Sequence, residues 1–306
     1  MKILKRNCRL AVVQAAPVMF DKEKCLEKAL HLIDECASNN ADIVVFPELF
    51  IPGYPYGMTF GFTVGSRSTE GRKDWKTYYD NSIFSDGEEM QQLIDAAKRH
   101  HVYLSMGYSE RDSVTATLYN SNIMISPDGT AMNHRKLKPT GSERVVWGDA
   151  DKDFFPVMET PWGPMANLIC WESYMPLARA ALYKKGVAIY ISPNTNDNEE
   201  WQNTVRHIAI EGHCYFINAD LYFTRAMYPE TYSAAEEVAQ LPEIVCRGGS
   251  NIIDPYGHPI TDTVWDREEI IYGNMDMDCV PASRMEHDVC GHYARNDVLD
   301  LSVIEK

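Results

Sequence analysis

Positive charge is scarce in this chain. Its 306 residues carry 29 Lys and Arg against 44 Asp and Glu, a formal net charge of -15 at pH 7. Proteins grip a phosphate backbone through clustered Lys and Arg, so nucleic acid is not an expected partner. Long apolar runs are missing too. No window approaches the roughly 20 apolar residues that a membrane span needs. Arg9 interrupts the apolar stretch Leu10 to Ala16 as it begins, which makes a poor signal peptide. The expectation is a cytoplasmic protein that does not enter a membrane.

Also lacking is any pair of cysteines at CxxC spacing. The eight are Cys8, Cys25, Cys36, Cys170, Cys214, Cys246, Cys279 and Cys290, and a structural zinc site or a dithiol redox pair would need closer spacing. No metal is expected. In a reducing compartment most of them are small buried hydrophobes, and only position can single one out as a nucleophile. No Pro-rich or low-complexity linker divides the chain, so residues 1–306 read as a single domain.

What is present alternates between two periodicities. Leu10 to Ala15 reads as a strand, Leu26, Ala29, Leu30 and Ile33 fall at helical spacing, and Ile43 to Phe46 is an apolar strand, a βαβ beginning. A helix opening at Ser85, with Glu88 three residues on as a capping box, would bury Met90, Leu93, Ile94 and Ala97. Strands are expected at Val102 to Met106, Val187 to Ser192 and Cys214 to Ala219, with an amphipathic helix around Glu199 to His213. The segments SNIMISPDG (121–129) and SNIIDPYG (250–257) echo each other, each a β run closed by a Pro and Gly turn. Mixed parallel and antiparallel signals fit an α/β protein with two packed sheets and helices outside, rather than one doubly wound sheet.

Three segments carry chemistry. The strand Met165 to Ile169 ends at Cys170, and a helix follows from Pro176 to Lys184, Lys185 and Gly186. Cys170 thus sits at a strand-to-helix turn, where free N–H groups and a helix N-terminus favour a thiolate; the alternative is a buried strand-end cysteine. In VVFPELF (44–50), Glu48 follows an apolar strand and a Pro, an expensive place for a carboxylate unless it is used or ion-paired. In HRKLKPT (134–140), Lys136 and Lys138 share a face of an extended segment, with Glu143 close behind; the segment reads either as a cation donor or as an exposed basic turn. A thiolate needs both a proton acceptor and a stabiliser of the anion its attack creates.

Together these pieces resemble the nitrilase superfamily, the carbon-nitrogen hydrolases with a Glu, Lys, Cys triad. The FPE around Glu48, the RK around Lys136 and the LICWE around Cys170 occur in the family's order, and the likeness continues through WQNTVRHIAIEG (201–212), CRGGSNIIDPYG (246–257) and GHYARNDV (291–298). Trp171 and Glu172 after the nucleophile, and PTGSERVVWG (139–148), are similar to the nitrilase branch rather than to the amidases. The resemblance implies a four-layer αββα sandwich, no cofactor, and a homodimer or small homo-oligomer. It implies Glu48 as general base, Lys136 as holder of the developing anion, Cys170 as the thioimidate- and thioester-forming nucleophile, and Glu143 as a supporting carboxylate. Ser173, Asn296 and the DADKDF run after Gly148 depart from the family pattern without touching the triad.

The expected substrate is a small organic nitrile, converted to acid and ammonia. An amidase, a hydratase that stops at the amide, and a catalytically silent scaffold are the alternatives. Tyr54, Tyr56, Phe60 and Phe62 form either an aromatic rim over the pocket, an oligomer contact or a packed loop, with Tyr54 the one expected to reach substrate. Trp147 and Trp171 are either pocket walls, by nearness to Glu143 and Cys170, or core. His134, His207 and His213 are expected to be structural.

Overall fold

The computed structural model describes residues 2–196, 198–230, 232 and 234–304. The first part of the chain runs β1 (Asn7–Gln14), α1 (Lys22–Ser38), β2 (Ile43–Val45), β3 (Phe62–Thr63), β4 (Ser66–Arg67), α2 (Thr69–Asn81) and α3 (Glu88–His100). Next come β5 (Tyr103–Arg111), β6 (Leu118–Ile125), β7 (Ala131–Arg135), β8 (Met158–Thr160), β9 (Gly163–Asn167), α4 (Pro176–Lys184), β10 (Ile189–Asn194) and α5 (Glu199–Gly212). The last part holds β11 (Tyr215–Asp220), β12 (Tyr222–Thr224), α6 (Ala235–Ala239), β13 (Ile244–Ile253), β14 (Val264–Trp265), β15 (Glu269–Asp276) and α7 (Cys279–Arg284).

Two mixed sheets form, ordered β15-β1-β2-β5-β6-β7 and β12-β13-β11-β10-β9-β8, with β14 attached to β13. Strands joined through a helix pair in parallel, as β1 with β2 and β10 with β11. The two echoing segments lie on antiparallel strands. Gly129 and Gly257, both at positive φ, close their turns by donating N–H to Ser126 and Asp254.

Strand alternation sorts the side chains into layers. In β1, Ala11 and Val13 face α1 and α3, meeting Ala29, Ile33, Met90, Leu93 and Ala97, while Leu10 and Val12 face the other sheet and meet Ile189, Ile191, Ile217 and Ala219. The second sheet turns Ala166, Tyr190 and Phe216 outward onto Ala178 and Leu182 of α4 and Trp201 and Ile208 of α5. The result is helix, sheet, sheet, helix. Each fully buried Leu or Ile in these layers contributes about 1.5–3 kcal/mol of transfer free energy.

One expected boundary is wrong. The helix after Ser85 begins at Glu88, with Gly87 at the N-cap and no side-chain cap. Ser85 lies two residues ahead of that N-cap, out of the capping position. Glu88 and Glu89 in the first turn and Lys98, Arg99 and His100 in the last complement the helix dipole.

Candidate active site

The chain leaving β2 crosses over β5. Phe46 N–H donates to Ser105 O (2.8 Å) and Ile51 N–H to Gly107 O (3.3 Å), so Pro47 and Glu48 lie directly on the strand. A Cβ at position 107 would stand 2.1 Å from Pro47 O, which only glycine avoids. Glu48 is thereby buried. Its Oε1 accepts from Lys136 Nζ (2.8 Å) and Asn120 Nδ2 (2.7 Å). Its Oε2 is buried and meets no hydrogen-bond partner among the described residues.

Lys136 follows β7, its N–H held by Asn120 O (2.7 Å). Its ammonium lies between two carboxylates: beyond Glu48 it reaches Glu143 Oε1 (3.1 Å) and Oε2 (2.9 Å). Glu143 stands on a 3-10 turn, Gly141–Val145, and also accepts from Tyr54 Oη (2.7 Å) and Thr140 N–H (2.7 Å). Burial alone would lower the Lys136 pKa. Glu48, Cys170 and Glu143 outweigh it and raise the value, so Lys136 stays an ammonium. Burial pushes Glu48 up from the ordinary 4.5; Lys136 opposes the rise and Glu143 adds to it.

Cys170 has φ 53°, a left-handed backbone for a non-glycine residue of the kind found where a site is held under strain. It opens a 3-10 turn, Cys170–Tyr174, between β9 and α4, and is 6% exposed. The thiolate that the turn favours is opposed by burial, the other reading of this position. Burial first, then the charge of Glu48, pushes the thiol well above its ordinary 9; Lys136 and the Thr195 main chain oppose the rise without overcoming it. Burial and the neighbouring carboxylate thus work against the thiolate, and Lys136 works for it.

Glu172 is a residue that reading for chemistry missed. Fully buried, it accepts from Ile169 N–H (2.6 Å), Leu137 N–H (2.6 Å) and His134 Nε2 (3.0 Å). One carboxylate thus ties the residue before Cys170 to the residue after Lys136. The signal was available, since Glu172 stands just past an apolar strand as Glu48 does. His134 is structural in this sense, and His207 pairs with Glu211 on α5.

A cavity of about 540 Å³ opens over Glu143, lined by Tyr54, Tyr56, Met58, Phe62, Val146 and Trp147 among others, while Glu48, Lys136 and Cys170 lie outside its lining. Phe60 is core rather than rim. Trp147 lines this cavity, its Nε1 donating to Ser109 Oγ (3.1 Å) while its ring packs on Tyr54. Trp171 is not in that lining: it is 46% exposed and packs edge-on against Tyr174, because the turn after Cys170 directs it outward. Lys138 is absent from the site as well. The chain has left the β7 extension by Arg135, so spacing by two no longer sets the face, and Lys138 pairs with Asp149 in solvent.

Among the described residues, no group of three or more His, Cys, Asp or Glu is placed to hold a metal ion, and no helix is long and apolar enough to cross a membrane. The chain is 44% identical over 299 residues to an aliphatic nitrilase of Sinorhizobium fredii (strain HH103), covering 97% of this chain and 96% of that one. It is 40% identical over 300 residues to the bifunctional nitrilase/nitrile hydratase NIT4A of Lupinus angustifolius, covering 96% and 85%. Its fold is similar to that of Saccharomyces cerevisiae Nit3, a member of branch 10 of the nitrilase superfamily, with a TM-score of 0.74 at 21% identity over 96% of this chain and 99% of that one. Residues 9–284 match the carbon-nitrogen hydrolase family, and with buried Glu48, Lys136 and Cys170 brought together from two sheets, the chain belongs to that family.

Proposed function

We propose that the protein is a nitrilase that hydrolyses a small organic nitrile to the carboxylic acid and ammonia, using Cys170, Glu48, Lys136 and Glu143. The observation that carries this reading is the Lys136 ammonium held 2.8 Å from Glu48 and 2.9 Å from Glu143, with Glu48 Oε2 left unbonded. The names of the relatives at 44% and 40% identity support it. Glu48 takes the Cys170 proton as sulfur attacks the nitrile carbon. Lys136 holds the negative charge that develops on nitrogen, which then receives that proton from Glu48 to give the thioimidate.

Water, deprotonated by Glu48, adds its oxygen to the same carbon, and nitrogen receives the proton. Transfer of the new hydroxyl's proton to nitrogen then expels ammonia and leaves a thioester. A second water releases the acid and restores the thiol. Only protein side chains and water take part. Tyr54 and Trp147 wall the substrate. If sulfur leaves in place of nitrogen the product is the amide, the outcome suggested by the bifunctional name of the lupin relative.

Chromatography of the products from a simple arylacetonitrile and a short aliphatic dinitrile tests the reading. Mainly acid, with equimolar ammonia, is expected. Mainly amide would replace it with a hydratase, and turnover of amides alone with an amidase. The protein is further proposed to work in the cytoplasm as one domain and as a homodimer or small homo-oligomer, since Trp171, Tyr174 and Leu177 leave an apolar surface around the start of α4. Light scattering of the purified protein checks its size.

A further inference from the structure

Sheet 1 supplies Glu48 and Lys136, and sheet 2 supplies Cys170. The parallel strand beside Cys170 ends in residues that the mechanism has not used. β10 pairs with β9 in the register Ile191 to Asn167, and Leu168 N–H still reaches Ile191 O (3.1 Å). Carried on by the same offset, that register sets Thr195 one residue beyond the level of Cys170. The Thr195 main chain lies close enough to the Cys170 sulfur to favour its charged form. Its Oγ1 is buried and meets no partner among the described residues, and the same is true of Nδ2 of the neighbouring Asn196. Buried hydroxyls and amides are nearly always satisfied, so two orphans in sequence beside a nucleophile point to a ligand.

Thr195 is also held still. Asn194 Nδ2 donates to Asn218 Oδ1 (2.8 Å), Asn196 N–H donates to Asp220 Oδ1 (3.0 Å), and Trp201 Nε1 braces Asn218 (2.8 Å). Residues on both sides are pinned while the hydroxyl between them is left unbonded. That is the arrangement expected of a group whose partner is the substrate.

We propose that Thr195 is a further catalytic residue, its hydroxyl holding the substrate nitrogen from the sheet 2 side while Lys136 and Glu48 face it from sheet 1. The inference rests on the nitrilase reading. When sulfur bonds to carbon, C≡N becomes C=N–H, and the nitrogen carries one N–H and one lone pair. Thr195 Oγ1 accepts the N–H, which turns the lone pair toward the acid-base group. After water has added, the nitrogen is an amino group with the same choice of orientation. Held by Thr195, its lone pair takes the hydroxyl's proton, the C–N bond breaks with its electrons on nitrogen, and ammonia leaves. Without the hydroxyl the nitrogen turns freely, the C–S bond breaks in its place, and Cys170 leaves with its proton as the amide is released.

The test compares the unmodified enzyme with Thr195→Val and Thr195→Ser on an arylacetonitrile and a short aliphatic dinitrile, measuring ammonia and amide together. Val has the shape of Thr without the hydroxyl. Thr195→Val should lose roughly tenfold in kcat, the equivalent of one hydrogen bond, and should raise the amide fraction. Thr195→Ser should keep the original ratio of acid to amide. That ratio does not depend on how much enzyme is folded, so Thr195→Ala read by ratio alone serves if the Val variant folds poorly. An unchanged ratio in both Val and Ala variants, or a Ser variant that shifts it as far as Val does, would overturn the role of the hydroxyl. An unmodified enzyme that turns over neither nitrile would overturn the nitrilase reading itself and the proposal with it.

Discussion

Replacing Glu172 with Gln keeps the side chain's shape and takes away one of its two acceptor oxygens. In the folded protein Oε1 accepts from Leu137 N–H and Oε2 from Ile169 N–H, each at 2.6 Å, and His134 Nε2 lies 3.0 Å from Oε2. Whichever way the amide is turned, its NH2 faces a main-chain N–H that has no other acceptor in reach. One hydrogen bond to a charged group is lost, worth about 1.5–3 kcal/mol, and a buried N–H is left unsatisfied at about 1–3 kcal/mol. The side chain is fully buried, so solvent does not screen the loss. Allowing for partial relaxation, destabilisation of about 3–5 kcal/mol is expected, a large share of the roughly 5–15 kcal/mol that holds a domain folded. At about 2–4 °C per kcal/mol, Tm should fall by roughly 6 °C or more.

The catalytic effect follows from the same atoms. Ile169 precedes the nucleophile and Leu137 follows the ammonium, so loosening both misplaces Cys170 and Lys136 relative to each other. A displacement of about 1 Å costs on the order of a hundredfold in rate. The expectation is a kcat reduced ten- to a hundredfold with KM little changed, since both main-chain N–H groups that Glu172 holds belong to neighbours of the reacting groups. Thermal unfolding and steady-state kinetics on one preparation measure both. A Tm within 2 °C of the unmodified protein, together with kcat within twofold, would refute the idea that this carboxylate holds the site together.

Because burial and Glu143 raise Glu48 above the ordinary 4.5, and catalysis needs its unprotonated form, activity should fall reversibly as pH drops through a limb lying above 4.5. A limb at or below the ordinary value would remove Glu48 from the role of base. The raised thiol of Cys170 predicts that its alkylation by iodoacetamide keeps accelerating past pH 9, whereas a rate already level at pH 7 would indicate a resting thiolate. Lys136→Gln should cost about 2–4 kcal/mol of transition-state stabilisation and should also lower Tm, by leaving Glu48 and Glu143 facing each other in the interior. Lys138→Ala, which removes only an exposed pair with Asp149, should leave kcat within twofold; a loss approaching that of Lys136→Gln would reverse the assignment.

The sequence by itself determined the local features and the kinds of side chain available. Periods of 2 and 3.6 placed α1, α4, α5 and the central strands within a few residues, because each period is a property of neighbouring residues. Glu48 stood out because a carboxylate after an apolar strand must be paired or used, and its ion pair with Lys136 obeys that rule. Resemblance to a known family added the order of Glu48, Lys136, Glu143 and Cys170. What local pattern could not supply was facing direction beyond the ends of strands, and burial. Lys136 enters the site and Lys138 does not, because alternation stops where β7 ends. Trp171 points outward although it adjoins Cys170, because a 3-10 turn rotates each residue away from the one before. Ser85 is no cap, since the helix begins only at Glu88 with Gly87 at its N-cap. The charge state of Cys170 was open to the tertiary structure alone. A turn favours the thiolate through nearby dipoles, whereas burial beside carboxylates from the other sheet disfavours it more strongly, and only packing brings that burial and those charges together.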